Sequence, residues 1–232
     1  RCSLQDLCIP MSLSTEDLKI LESLVETIGP LHADDHLFRQ GERFQSLYAV
    51  RSGCVKSYID DENGEEQVLG FHLPGELVGM SGIHDSVHQC SALVLDTAMI
   101  CRLPFDELSE MACHIPDLQQ QLFRLISSDL RADYSFSVYH AADERVAMFL
   151  IGFGERMVTR GFSPTHFVLP MSRQDVASYL HLSPETLSRI LRQFEDRGLI
   201  AASRREIRLK NLQALEKRCP HEFHFRDKVP IT

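Results

Sequence analysis

The sequence predicts an α+β chain, with a small all-β unit in front, one long helix, and behind it two short helices followed by a β-hairpin. Three observations carry this. Short runs rich in β-formers recur between glycines at Gly41, Gly53, Gly64 and Gly75. A helix-period stretch opens at Pro116 and reaches about Tyr139. A doubly capped pair of short helices then occupies 172–197, ahead of a basic segment at 203–209.

The elements follow in order. Ser14-Thr15-Glu16-Asp17 precedes Leu18, Ile20, Leu21, Leu24 and Val25, the pattern of a capped amphipathic helix. From about Leu31 to about residue 105 the pattern turns to short strands: Leu47-Tyr48-Ala49-Val50, Val55-Lys56-Ser57-Tyr58, Val68-Leu69-Gly70-Phe71 and Ala92-Leu93-Val94-Leu95. Short strands at regular spacing, separated by turn signals, read as a sandwich or barrel. Asn63-Gly64 is the strongest of those signals and predicts a tight type I′ hairpin.

The helix that opens at Pro116 carries two apolar stripes. One runs through Leu118, Leu122, Leu125, Ala132 and Phe136, the other through Phe123, Ile126 and Leu130 towards Asp133. A helix that is apolar on two sides needs two covers. The β-unit supplies one. The other is either the rest of the same domain or the same helix of a second copy, as in a coiled coil. Asp133 favours the second copy, since an unpaired carboxylate in a core is expensive. Helical periodicity resumes from Arg145 to Phe153 and is broken by Gly161-Phe162-Ser163-Pro164.

Ser172 caps a helix with Asp175 three positions on, and Val176, Ala177 and Leu180 form its apolar face. His181-Leu182-Ser183 makes the turn. Pro184 then stands at a first helical position behind the Ser183 cap. In the second helix Leu187, Ile190, Leu191 and Phe194 face inward, which leaves Glu185, Ser188 and Arg189 outward at its start. This is either a helical hairpin with an incidental charged face or a DNA-reading helix-turn-helix. The face chemistry fits the second, because Arg bonds guanine O6 and N7, Glu accepts from cytosine N4 and Ser tolerates either. Ser203-Arg204-Arg205-Glu206-Ile207-Arg208-Leu209 reads as a basic wing set for phosphates.

Charge is distributed accordingly. Residues 1–140 hold 9 Lys+Arg against 22 Asp+Glu, whereas residues 141–232 hold 15 against 11. An acidic front and a basic back point to two domains with different partners, unless the asymmetry is a chance of surface composition. No apolar run approaches the roughly 20 residues that span a bilayer, and Arg1 to Pro10 has no apolar core of a signal peptide. A cytoplasmic protein is expected, and the absence of an initial Met suggests part of a longer chain. Seven scattered cysteines do not make a secreted disulfide framework. No Ser/His/Asp set, phosphate-cradling glycine loop or paired carboxylates occur in a credible context, so an enzyme is not expected. The tail His221-Glu222-Phe223-His224 reads as a solvated terminus.

Pro184-Glu185-Thr186-Leu187-Ser188-Arg189 resembles the E-x-x-S-R recognition helix of the FNR/Anr-type oxygen-responsive regulators in the CRP/FNR family. Phe71-His72-Leu73-Pro74-Gly75-Glu76-Leu77-Val78-Gly79, Leu47-Tyr48-Ala49-Val50-Arg51-Ser52-Gly53 and Arg160-Gly161-Phe162-Ser163-Pro164 resemble the same family. The likeness runs over nearly the whole chain. It implies a cyclic-nucleotide-binding-like β-roll (jelly roll), a long dimerisation helix and a winged helix-turn-helix. The corresponding segments are 1–30 (cysteine segment and helix), 31–114 (sensory β-roll), 115–140 (dimerisation helix) and 141–232 (DNA-binding domain).

The resemblance also implies roles. Glu185, Ser188 and Arg189 would read bases, with Ser172, Arg173 and Thr186 beside them, on a palindrome of TTGAT-type half-sites. Phe123, Ile126, Leu130 and Asp133 would form the homodimer interface, with Asp133 opposing association when the sensor is empty. Gly64 and Glu65 would face a sigma factor, and Ser163 the α subunit of RNA polymerase. The hinge between Val138 and Asp143 is shorter than the family's.

For sensing, the family's C-x2-C-x5-C run and later cysteine imply an oxygen-labile 4Fe-4S cluster held by four thiolates. Cys2, Cys8 and Cys101 match three of them, and the fourth is expected upstream of Arg1. Where the cyclic-AMP receptor carries Glu for the ribose and Arg for the phosphate, this chain has Met80 and Cys90. Cyclic AMP is therefore not expected. Two other uses of the cysteines stay open: direct thiol oxidation, or a structural zinc in a non-sensing module.

Overall fold

The computed structural model describes residues 8–9, 13–61, 64–135 and 140–219, with the backbone alone at 128–135. Cys2, Asn63, the hinge residues 136–139 and the His-rich tail lie outside the described residues, as do the side chains of Leu130 and Asp133. The chain divides into two compact units, Arg1–Leu130 and Arg131–Thr232.

In the first unit, α1 (Thr15–Leu24) begins behind Ser14, whose hydroxyl accepts the Asp17 N–H at 3.1 Å. Eight strands follow: β1 (Glu26–Leu31), β2 (His36–Phe38), β3 (Ser46–Ser52), β4 (Val55–Asp60), β5 (Glu66–His72), β6 (Leu77–Val78), β7 (Ser91–Val94) and β8 (Ala98–Pro104). Then come α2 (Phe105–His114) and α3 (Pro116–Ser135). The strands form two antiparallel sheets of order β1-β8-β3-β6 and β2-β7-β4-β5, the double Greek-key arrangement of a jelly roll.

Alternation along β3 and β8 decides which cores the first sheet faces. Val50 and Ile100 join Phe38, Val55, Ala92 and Val94 in the core between the sheets. Leu47, Ala49 and Leu103 point the other way, into a second core closed by Leu21 of α1, Leu108 and Met111 of α2, and Leu118 of α3. Period-2 alternation with both faces covered explains why these strands read as nearly continuous apolar runs. Gly53, at φ +83, makes the β3–β4 turn, where an added Cβ would stand 2.6 Å from the Thr97 carbonyl.

Three expectations are corrected. Strand structure begins at Glu26, ahead of Leu31. The β4–β5 hairpin is wider than a two-residue type I′ turn: the Asp61 N–H donates to Glu65 O at 2.9 Å and Gly64 N–H to Asp61 O at 3.0 Å, with Gly64 at φ +80. A three-residue connection ending in a left-handed glycine suits that pattern. Finally, α2 was not anticipated, because the segment opens on Phe105 behind Pro104 with no capping side chain to mark it.

The second unit starts with α4 (Ala142–Val158), whose residues from Arg145 to Gly154 are all buried. A helix buried all round is the spine of its domain. Around it lie β9 (His166–Val168), α5 (Arg173–Tyr179), α6 (Pro184–Asp196), β10 (Ile200–Ser203), β11 (Glu206–Leu209) and α7 (Leu212–Glu216). The wing is the β10–β11 hairpin, joined by β9 into a three-stranded sheet.

Candidate nucleic-acid interface

Both helices of the pair are fixed at their starts by local chemistry. Ser172 Oγ accepts the Asp175 N–H at 3.0 Å while Asp175 Oδ2 accepts the Ser172 N–H at 3.0 Å, a reciprocal capping box. Ser183 Oγ accepts the Thr186 N–H at 3.2 Å, and Pro184 needs no N–H at the first position. Between them His181 takes φ 52, a left-handed step that re-aims the chain. Leu187, Ile190, Leu191 and Phe194 are buried as the periodicity requires. Glu185, Ser188 and Arg189 are exposed together on the outer face at the start of α6.

The remaining residues expected at the interface divide by role. Ser172 is committed to the α5 cap, and Ser183 Oγ donates to Thr186 Oγ1 at 3.1 Å. Arg173 is half-buried, with Nη2 donating to the Arg204 carbonyl in the wing turn at 3.2 Å. Burial lowers its pKa and Glu195 opposes that shift, while the bond to Arg204 O joins α5 to the wing turn. Glu195 is exposed and accepts the Ala202 N–H of β10 at 2.9 Å. In the wing Arg204, Arg205 and Arg208 are exposed while Ile207 and Leu209 are buried, the alternation of a half-covered strand.

One residue went unrecognised in the sequence. Arg145 is only 8% exposed, and its Nη1 donates to Leu180 O at 2.5 Å and lies 3.5 Å from His181 O. The available signal was an Arg leading a run, Val146-Ala147-Met148, in a helix apolar on every side.

On the first unit, Cys8 and Cys101 border the same apolar cluster, between the first sheet and the helices α1 to α3. Cys101 shares its face of β8 with Leu103, and Gln121 Nε2 on α3 donates to Cys8 O at 3.5 Å. Two of the three expected ligands thus pack against the same core. Among the described residues no three of His, Cys, Asp and Glu form a metal-binding group. Cys54 and Cys90 are buried in the β-domain, and Cys113 is exposed. Phe123 is 64% exposed on α3, while Ile126 is half-buried. Gly64 and Glu65 are exposed on the β4–β5 hairpin. The exposed Ser163 uses its hydroxyl to accept the Thr165 and His166 N–H groups at 3.2 and 3.1 Å. No helix among the described residues is long and apolar enough to cross a membrane.

Comparison with known proteins agrees with this architecture. Residues 29–113 match the model of the cyclic nucleotide-binding domain, and residues 144–218 that of the Crp-like helix-turn-helix domain. The transcriptional activator protein Anr of Pseudomonas protegens is 44% identical over 211 residues, covering 90% of this chain and 86% of that protein. The fumarate and nitrate reduction regulatory protein of Escherichia coli strain K12 is 39% identical over 223 residues, 95% of this chain and 89% of its own. Among solved structures, FixK2 of Bradyrhizobium japonicum superposes with a TM-score of 0.74 at 27% identity, over 84% of this chain and 96% of that one. With two relatives of this similarity matched over most of their length, and both domain models in place, the chain belongs to the CRP/FNR family of transcription regulators, as a member of its FNR/Anr type.

Proposed function

We propose that this regulator is an oxygen-responsive activator of anaerobic genes that works as a homodimer in the cytoplasm. The observation that carries the reading is the packing of Cys8 and Cys101 against one apolar core in a chain of the FNR/Anr type. Cys2, Cys8, Cys101 and a fourth thiolate outside the described residues would hold a 4Fe-4S cluster. When bound, such a cluster supplies a centre that oxygen destroys. Cyclic AMP is not the ligand in this reading. Cys90 stands where the family's phosphate-binding Arg is found, and it is buried in the apolar core between the sheets.

Two copies would associate through Phe123, Ile126 and Leu130, with Asp133 keeping the association marginal. A two-fold dimer presents two copies of α6 to a palindrome. Glu185, Ser188 and Arg189 would read TTGAT-type half-sites, and the wing arginines would hold phosphates. RNA polymerase would meet Gly64 and Glu65 on the β4–β5 hairpin and the loop carrying Ser163. The segments are assigned as 1–30 for the cysteine segment, 31–114 for sensing, 115–140 for dimerisation and 141–232 for DNA binding.

The test is the visible absorption of anaerobically purified protein before and after air. A brown chromophore that bleaches, with loss of the dimer, is expected. A colourless protein that binds DNA identically in both states would overturn oxygen sensing and leave thiol oxidation or structural zinc to explain the cysteines.

A further inference from the structure

We propose that the first turn of α4 is a clamp that sets how α6 meets the bases, with Arg145 and Asp143 as its two arms. The inference rests on the reading of α6 as the base-reading helix, and it adds residues that touch no DNA.

The first arm acts on the turn. Helix α5 ends at Tyr179 with Leu180 as its C-cap, and the carbonyls at a helix end have no intrahelical partner. The Arg145 guanidinium bonds the C-cap oxygen of Leu180, where the dipole of α5 is negative, and lies 3.5 Å from the His181 oxygen just beyond it. These carbonyls flank the left-handed step at His181 that sends the chain from α5 into α6. Arg145 therefore grips the joint that aims the recognition helix. Its fork geometry and permanent charge suit the task, whereas lysine would offer a point charge. The Arg145 Nε is buried without a hydrogen-bond partner among the described residues. An apolar side chain would fill this position without that penalty, so what the guanidinium adds here is its hold on the two carbonyls.

The second arm acts on the back of α6. Asp143 Oδ2 accepts from Arg218 Nη1 at 3.0 Å, and the Arg218 guanidinium lies 5.6 Å over the ring of Phe194. Phe194 is fully buried on the inner face of α6. One turn of α4 thus reaches the entry of the recognition helix and its inner face. That turn is itself fixed to the chain entering it, because Glu144 Oε2 accepts the Ala141 N–H at 3.0 Å.

Base contacts require side chains to be held within about 0.5 Å and 10–20° of their productive geometry, whereas phosphate contacts tolerate more. Loosening the clamp should therefore lower discrimination between sequences and spare general DNA affinity. The experiment uses the anaerobically purified full chain and its Arg145→Met, Arg145→Lys and Asp143→Asn variants. Each is titrated with a palindromic TTGAT duplex and a scrambled duplex across a salt series, and each is melted by circular dichroism. Arg145→Met is expected to reduce the ratio of specific to scrambled affinity about tenfold or more, with scrambled-duplex binding and salt slope unchanged. Arg145→Lys should fall between it and wild type, and Asp143→Asn should lose several-fold. Parallel loss of specific and scrambled binding together with melting temperature would reduce Arg145 to a folding role and overturn the clamp. If Arg145→Met melts below the assay temperature, the other two variants decide, and wild-type ratios in both would overturn it. Failure of wild type to discriminate the duplexes would instead sink the reading of α6, and the clamp with it.

Discussion

The imidazole of His88 lies flat on the ring of Phe38, centroids 3.6 Å apart and planes 8° from parallel, while Phe44 meets it edge-on at 5.5 Å. His88 is 2% exposed, and its Nδ1 has no hydrogen-bond partner among the described residues. Burial holds its pKa below the ordinary 6.5, against the opposing pull of Glu42. The unfolded chain then binds a proton that the folded one refuses, so stability is complete above pH 6.5 and declines as pH falls below it. His88→Phe keeps the stack and removes the titration. Urea midpoints of wild type and variant at neutral and at mildly acidic pH should diverge, with the variant losing less on acidification. Equal losses would reject this account.

Gly154 sits inside α4, where alanine would ordinarily favour the helix by about 1 kcal/mol. Here an added Cβ would stand 2.1 Å from the Pro164 carbonyl oxygen and 3.3 Å from the Phe167 ring. Backbone must move to admit it. Gly154→Ala is expected to destabilise the protein by about 1–3 kcal/mol, as overpacking does. A melting temperature at or above wild type would contradict the close approach.

Arg189 is exposed on the outer face of α6 and belongs to the proposed base-reading set. Arg189→Ala should cost about 1–3 kcal/mol on the TTGAT duplex and relax specificity at the guanine it reads. Arg208→Ala in the wing should weaken all duplexes alike and reduce the salt slope by about 1. Titrations with duplexes changed at single positions separate the two. Exchange of the two signatures would reassign the roles.

Cys219 is a poor candidate for redox sensing. Burial, with Glu216 and Glu144 nearby, pushes its thiol pKa up to about 12. Only about one part in ten thousand would be thiolate at pH 8, and thiolate is the reactive form. Alkylation of the native protein followed by peptide mass mapping should label the exposed Cys113 well before Cys219. The opposite order would show the environment of Cys219 to be wrong.

Asp133 lies on α3, on the stripe of Phe123, Ile126 and Leu130. If two copies oppose each other there, Asp133→Ala should dimerise and bind DNA in air. Sedimentation of the variant provides the check, and a strictly monomeric species would remove carboxylate repulsion from the mechanism.

Local features were legible. The caps at Ser14, Ser172 and Ser183 depend on partners three residues away, and the buried face of α6 on a 3.6-residue period. Short strand runs between glycine turns marked an all-β unit, and the family resemblance implied its jelly-roll form. Three features escaped. The start of α2 carries no capping side chain, and the width of the β4–β5 turn depends on ladder register, which the Asn-Gly pair alone misstates. The bond from the Arg173 guanidinium to the Arg204 carbonyl spans 31 residues and is equally invisible to local pattern.

The helix caps, the exposed Glu185-Ser188-Arg189 face and the acidic-to-basic division of charge are properties of neighbouring residues, and the amino-acid sequence alone determines them. The packing of Cys8 and Cys101 against one core, the stack of His88 on Phe38 and the bond from Arg145 to the Leu180 carbonyl are of another kind. Each joins residues far apart in the chain, and each arises only when two elements pack and displace water between them. Periodicity tells which face of an element turns inward; the element it meets there is chosen by the closing of the fold.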